Sequence, residues 1–312
     1  MFQWMVGGKV GADVSVQARA ARKVSLEMDS LSTFAARETM LPCPVCGALA
    51  AFAYTHPDCR IYRCDGCTHA FTDPASVTNA QHYSPEYFDE LHKNWFAHPN
   101  VRLFQWIANQ IPQNARSVID VGCGRGHFLD FLRKVRPNLS LVGVDLSNNS
   151  DRDGIKFFCG DVLDLELGQF DFVVTMGTIE HVADLARFTD SLCSLCGPHG
   201  TVCVMTLDEN SLLYRLARIA RKLGVPVAFN QLYDVHHLNH FTRRSLAELL
   251  SRSKLQVRRR LAHNAPIRAI DVPVRNPLLR QVLIAAVGLT FFTGTLLRCS
   301  YLQSVLARRS DG

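Results

Sequence analysis

Acidic residues are scarce in one long stretch of this chain. From Ser211 to Arg280 there are three Asp/Glu against fourteen Lys/Arg. That scarcity argues against a cationic partner there. It leaves a solvated basic face, or a surface turned toward lipid head groups, a phosphorylated substrate or RNA. The net charge of +6 over 312 residues is too mild to name a partner by itself. No charged n-region followed by a long apolar run opens the sequence "MFQWMVGGKVGADV", so no secretory signal is expected. The eleven cysteines are odd in number and scattered. Such thiols fit metal ligands or small buried hydrophobes in a reducing cytoplasm better than a disulfide framework. There is no internal repeat and no low-complexity tract. With 47% hydrophobic and 20% charged residues the composition is globular, and the length allows one large domain or two unequal ones.

Residues 1–40 show no firm period and are expected to form a poorly ordered leader, with Met28 and Met40 both candidate starts. Residues 41–75 change character. Two C-x-x-C pairs, Cys43/Cys46 and Cys64/Cys67, stand seventeen residues apart. Gly47 follows the first pair and Gly66 lies inside the second, so each pair sits in a tight turn that aims two thiolates at one point. Two such turns supply four sulfurs for tetrahedral zinc, and the spacing is that of a ribbon. His56 and Cys59 lie between the pairs in no paired turn and are left out of the ligand set. So short a segment would draw its folding energy from the metal.

Residues 76–110, with "HYSPEYFDELHKNWF" and "VRLFQWIANQI", read as helical pieces punctuated by Pro85 and Pro99, a linker or lid over the ribbon. From about 115 the pattern alternates. Strands are expected at 117–121, 140–145, 155–158, 170–174 and 200–206. Helices are expected at 127–136, with Phe128, Phe131, Leu132 and Val135 on one stripe, and at 183–195. This alternation implies βαβ units and a parallel sheet.

The stretch "SVIDVGCGRGHFLDFL" puts Gly122, Gly124 and Gly126 between a strand and a helix. A phosphate loop needs a Lys after its last glycine, and His127 stands there instead. A dinucleotide fingerprint needs G-x-G-x-x-G, and neither possible start completes it. The motif is D-x-G-x-G-x-G. It resembles the first motif of class I S-adenosylmethionine-dependent methyltransferases, and companions follow in order. "LVGVDLS" ends its strand at Asp145, 25 positions after Asp120. "FFCGDVLDL" carries Asp161, "FDFVVTMGTIEHVAD" is similar to the fourth-strand motif, and "LCGPHGTVCVMT" is a degenerate copy of the turn before strand five. The resemblance covers roughly residues 41–310 and is nearest to ubiquinone-type O-methyltransferases and to relatives with an N-terminal zinc ribbon. It implies an α/β fold: a Rossmann-like, doubly wound, mostly parallel seven-stranded sheet preceded by the ribbon, with the methyltransferase domain at 111–312. It also implies that Asp120, Gly122, Gly124, Gly126, Asp145, Leu146, Asp161, Val162 and Met176 hold S-adenosylmethionine.

The acceptor is less legible. The resemblance implies a small molecule, glycan or lipid, and a hydroxyl acceptor needs a base. His237, in a cap loop of about 210–242, is the first candidate, ahead of His181 and its neighbour Glu180. A related metal motif, E-x-x-E-H, has Gly177 at its first position here, so that metal is not carried over. The chain lacks [DN]-P-P-[YF] and a Pro-Cys nucleophile after strand four, which disfavours direct base methylation. Few Lys/Arg cluster in the ribbon, so nucleic acid is an unfavoured partner. A ribbon-guided RNA methyltransferase and a non-catalytic cofactor-binding module remain the alternatives.

One apolar element stands apart. "QVLIAAVGLTFFTGTLL", 281–297, is uncharged and flanked by Arg280 and Arg298. Seventeen residues reach about 26 Å, short of a ~30 Å bilayer core. A buried helix and a membrane-surface helix over 278–298 both stay open, and the basic run before it makes a peripheral membrane contact attractive. "YLQSVLARR" is expected to return the chain to the sheet as its last strand.

Overall fold

The architecture follows from where the β-branched runs fall. In the computed structural model the described residues are 40–78, 93–152, 154–272, 274 and 276–310. Residues 1–39 of the leader, and residues 79–92 with "HYSPEYFDELH", lie outside them. The chain divides into two units, residues 1–41 and 42–312. Of the first, only Met40 and Leu41, the opening of strand β1 (Met40–Pro42), are described.

In the second unit, β2 (Leu49–Thr55), β3 (Arg60–Arg63) and β4 (Ala70–Thr72) form an antiparallel meander. Two short helices follow the undescribed stretch, α1 (Lys93–Ala97) and α2 (Val101–Ala108), the second capped by the Asn100 side chain. Then come β5 (Ser117–Val121), α3 (His127–Val135), β6 (Ser140–Asp145), β7 (Ile155–Cys159), β8 (Phe170–Met176), α4 (Leu185–Leu195) and β9 (Cys196–Leu207). The chain continues through α5 (Leu212–Lys222), α6 (Val227–Leu232), β10 (Asn239–His240) and α7 (Arg243–Arg252) to β11 (Leu255–His263), α8 (Pro277–Leu296) and β12 (Leu302–Arg309). The large sheet has seven strands in the order β11-β12-β9-β8-β5-β6-β7. β5 to β9 run parallel; β12 is antiparallel to both β9 and β11.

The central strands β5 and β8 are largely apolar because both faces are covered, whereas the edge strand β7 is mostly exposed. Val118, Ile119, Phe172, Val173 and Val174 are fully buried. The helix after the glycine turn buries Phe128, Leu129 and Leu132. Val135, expected on that stripe, is exposed, and Leu129 takes its place. Arg136 is the helix cap rather than its last residue.

The segment 210–242, expected as a cap loop, is largely helical. Apolar residues at helical spacing explain it: Tyr214, Ala217, Phe229 and Leu232 are buried, and the Tyr214 hydroxyl donates to the Leu232 carbonyl at 3.1 Å. Its end, β10, adds a strand to the meander, pairing Asn239 with Phe71. Tyr54 packs on Phe229 with ring centroids 5.3 Å apart. Beneath lies buried Glu209, whose Oε1 accepts from Arg63 of β3, from Arg218 at 2.7 Å and from the Tyr233 hydroxyl at 2.6 Å. The meander is thus fixed to the α5–β10 segment by a buried charge cluster as well as by strand pairing.

Helix α8 is an insertion between the last two strands, which pair at its neck, His263 with Leu302. It buries Phe291 and Gly294 against the fold, and a Cβ at Gly294 would lie 2.9 Å from the Cys299 carbonyl. It is the one described helix long and apolar enough to cross a membrane by length and composition.

Candidate active site

A cleft of about 480 Å³ opens at the C-terminal ends of the parallel strands, where doubly wound sheets place their ligands. The glycine turn forms its floor. Gly122, Gly124 and Gly126 all have positive φ, at 72°, 50° and 74°. At Gly122 the need for glycine is also steric, because an added Cβ would lie 2.2 Å from Thr178 Oγ1. At Gly126 it would lie 2.8 Å from the Phe157 ring. Gly126 caps α3 in the left-handed conformation without a side-chain bond. The helix therefore presents its N-terminus behind the turn, where free N–H groups favour an anion.

Two acids frame the turn. Asp120, next to last in β5, is buried, and its Oδ1 has no hydrogen-bond partner. Burial, with the nearby charge of Asp145, pushes its carboxyl up to about 8. A buried acceptor of this kind is costly unless a ligand donor meets it. Asp145 ends β6. Its Oδ2 accepts from the Gly124 N–H at 2.7 Å, and its Oδ1 from the Ser147 N–H at 2.8 Å and hydroxyl at 2.6 Å. These bonds fix the carboxylate and leave acceptor positions toward the cleft. Asn149 Nδ2 donates to the Gly124 carbonyl at 2.7 Å and braces the turn from the other side. Asp161 accepts from the Leu163 N–H at 3.0 Å and starts a short 3-10 turn.

The cleft wall brings together Asp120, Gly122, Gly124, Asp145, Leu146, Asp161, Val162, Met176 and His181. Gly126, Glu180 and His237 are not in that wall. His181 lies on the 3-10 turn Ile179–His181 after β8. Its Nδ1 lies 2.7 Å from the His236 carbonyl, which can only accept, so that nitrogen carries a proton. His237 stands behind it, with ring centroids 5.0 Å apart. Burial pulls His237 below the usual histidine range and keeps it neutral. Glu180 points into the core and accepts from the Thr206 hydroxyl at 2.8 Å; burial pushes it up to about 7.

The far wall comes from elements whose role the sequence left open. Trp95, Phe96 and His98 from α1 and its end, and Pro266 and Ala269 from the loop after β11, close the cleft. Asn94 Nδ2 donates to Asp271 at 2.5 Å and Asn100 Nδ2 to the Asn264 carbonyl at 3.2 Å, tying the two sides together. Segment 93–108 thus lines this cleft, whereas the sequence suggested a lid over the ribbon. Thr178 and Asn149 were also missed. No motif marks them, but Ser147, two residues after a strand-end Asp, is a recognisable Asx-type turn.

The four cysteines form a separate cluster. Cys43, Cys46, Cys64 and Cys67 keep their sulfurs within 4.8 Å of one another, with 3.5 Å for Cys43–Cys67 and for Cys46–Cys64. Tetrahedral zinc with bonds of about 2.3 Å sets sulfurs about 3.8 Å apart, so the donor set fits such an ion. The two turns match: Gly47 N–H donates to the Cys43 carbonyl and Thr68 N–H to the Cys64 carbonyl. Gly47 and Thr68 both have positive φ. His56 faces the Asn230 carbonyl at 3.2 Å instead of the sulfurs.

Fold and cleft together define a class, the Rossmann-like proteins that hold a nucleoside-bearing ligand on a glycine turn. The sequence matches the family described as "Methyltransferase domain" over residues 80–259. It is 29% identical over 175 residues to the ubiquinone biosynthesis O-methyltransferase of Ralstonia nicotianae, covering 49% of this chain and 69% of that protein. It is 31% identical over 126 residues to the protein of the same name from Thiobacillus denitrificans, covering 36% of this chain and 53% of that one. Among solved structures it is similar to 1,6-didemethyltoxoflavin-N1-methyltransferase of Burkholderia thailandensis, with its ligand and S-adenosylhomocysteine bound. That match has a TM-score of 0.49 and 14% identity, and covers 78% of this chain and 96% of that one. The chain belongs to the methyltransferase-domain family and is an S-adenosylmethionine-dependent methyltransferase.

Proposed function

We propose that this chain methylates a hydroxyl on a small-molecule, glycan or lipid acceptor, with His181 as the base. The observation that carries it is His181 in the wall of the cleft that the glycine turn and strand-end acids also line, with its Nδ1 held by the His236 carbonyl. S-adenosylmethionine supplies, when bound, a sulfonium-activated methyl group. Asp120 is suited to an ammonium group, because its buried Oδ1 lacks a partner. The N–H groups behind Gly126 suit a carboxylate. Asp145 suits ribose hydroxyls, and Asp161, Leu146, Val162 and Met176 complete the nucleoside side of the cleft. His181 takes the acceptor proton at Nε2 while the His236 carbonyl holds Nδ1–H. His237 and Glu180 act as positioning residues, the first against the His181 ring and the second by anchoring its turn through Thr206. The O-methyltransferase names of the relatives support an oxygen acceptor.

In this reading Cys43, Cys46, Cys64 and Cys67 hold structural zinc. The protein works in the cytoplasm, with peripheral membrane contact through residues 278–298. The test is calorimetric titration with S-adenosylmethionine, followed by labelled-methyl transfer in a lysate separated into small-molecule, lipid, glycan and RNA fractions. Asp145→Ala should weaken cofactor binding about 30-fold, from the loss of hydrogen bonds to a charged group. Unchanged binding in that variant, or label confined to RNA, overturns the proposal.

A further inference from the structure

Helix α8 exposes Leu278, Val282, Ala285, Leu289, Phe292 and Leu296. Their spacing alternates four and three, so they form one unbroken face of a helix about 30 Å long. Leu278, Leu289 and Leu296 are 74%, 67% and 68% exposed. Helix α5 packs beside α8, with Leu212 against Gly294 and the Leu212 N–H donating to the Cys299 carbonyl at 3.0 Å. It exposes its own series at the same alternation, Leu216, Ile219 and Leu223, the last 77% exposed.

Charge decides what covers these helices. Neither contains an Asp or Glu, while Arg215, Lys222, Arg280 and Arg298 stand exposed on them or at their ends. A second copy of the chain would set these cations against their equals. An anionic bilayer complements them, each Lys or Arg near the surface adding to the attraction. Topology decides that the helix lies on the bilayer rather than crossing it. Both ends return to one paired neck, His263 with Leu302, and the intervening 3-10 turn Ile267–Ala269 packs against the helix.

We propose that α5 and α8 together form a docking platform for an anionic lipid bilayer, seated by apolar side chains and selected by the surrounding cations. This narrows the membrane contact proposed above and rests on it. Pro266 and Ala269, which wall the cleft, flank the turn that touches α8, so docking would hold the cleft near the membrane.

Co-sedimentation of the full chain with vesicles tests this, using phosphatidylcholine alone and phosphatidylcholine mixed with phosphatidylglycerol. The mixed vesicles should capture the protein and the neutral ones far less. Leu289→Asp with Phe292→Asp should lower capture at least ~10-fold, as expected for charge placed on a buried apolar face. Arg280→Glu with Arg298→Glu should remove the preference for the anionic vesicles. Thermal melts and cofactor titration without vesicles show that each variant is folded, and they fail separately if the methyltransfer reading is wrong. Wild type that ignores both vesicles, apolar variants that bind as well as wild type, or a dimer that these variants convert to monomer, overturns the platform.

Discussion

The two ends of the cleft are built by different rules. The end proposed for the cofactor is made of strand termini and backbone, and its residues lie within 60 positions of one another, from Asp120 to Met176. The end proposed for the acceptor is assembled from α1, the turn after β8, the loop after β11 and, behind them, residues 236 and 237. A motif can write the first, because neighbouring positions in the chain meet at one sheet edge. The second exists only after the sheet has brought distant segments together.

The largest effect should fall on the cofactor end. Gly122→Val forces a Cβ into Thr178 at a positive φ. Strain and overpacking of about 4 kcal/mol should reduce cofactor affinity about 1000-fold by titration calorimetry. An intact affinity would mean that the turn is not the floor of the site. At the other end, His181→Ala should lower kcat by about 100-fold, a typical loss for a general base, and leave cofactor affinity within about threefold. Equal losses in both would dissolve the distinction between the ends.

The ribbon belongs to neither end, so removing the zinc proposed for it should separate stability from chemistry. A strong chelator, or Cys64→Ser, should lower the melting temperature by about 10 °C through loss of metal-linked folding energy. Residual folded protein should still bind cofactor. The smallest effect concerns Asp120. Its pKa is about 8 in the folded chain, against about 4 unfolded. The folded carboxyl therefore keeps a proton that the unfolded chain loses, and stability falls as pH rises through that window. Asp120→Asn cannot ionise. Its ligand-free stability should fall less steeply than that of wild type between pH ~5 and ~8. Its cofactor affinity should nevertheless drop about 10-fold, since a charged partner is gone. Parallel pH slopes would show that Asp120 is not the buried acid described.

Sequence reading reached the strand-end acids because an apolar run closing in Asp is a local pattern. It missed Thr178 above Gly122 and Asn149 behind Gly124, whose partners are set by the crossing of strands and not by spacing. It placed the apolar insertion and the return strand Leu302–Arg309. Composition could not say that the inserted helix would expose its apolar stripe, since a buried helix has the same residues. The resemblance of the histidine-bearing end of 210–242 to a loop masks the helical spacing of Tyr214, Ala217, Phe229 and Leu232 before it.

Glu209 carries a consequence for stability. One buried carboxylate serves an arginine of the meander, Arg63, and an arginine of α5, Arg218, while β10 closes the small sheet. A chain without the ribbon would leave that carboxylate short of a cation and the 239–240 strand without a neighbour. Losing the ribbon would therefore loosen the α5–β10 segment as well, so the two stand or fall together in stability.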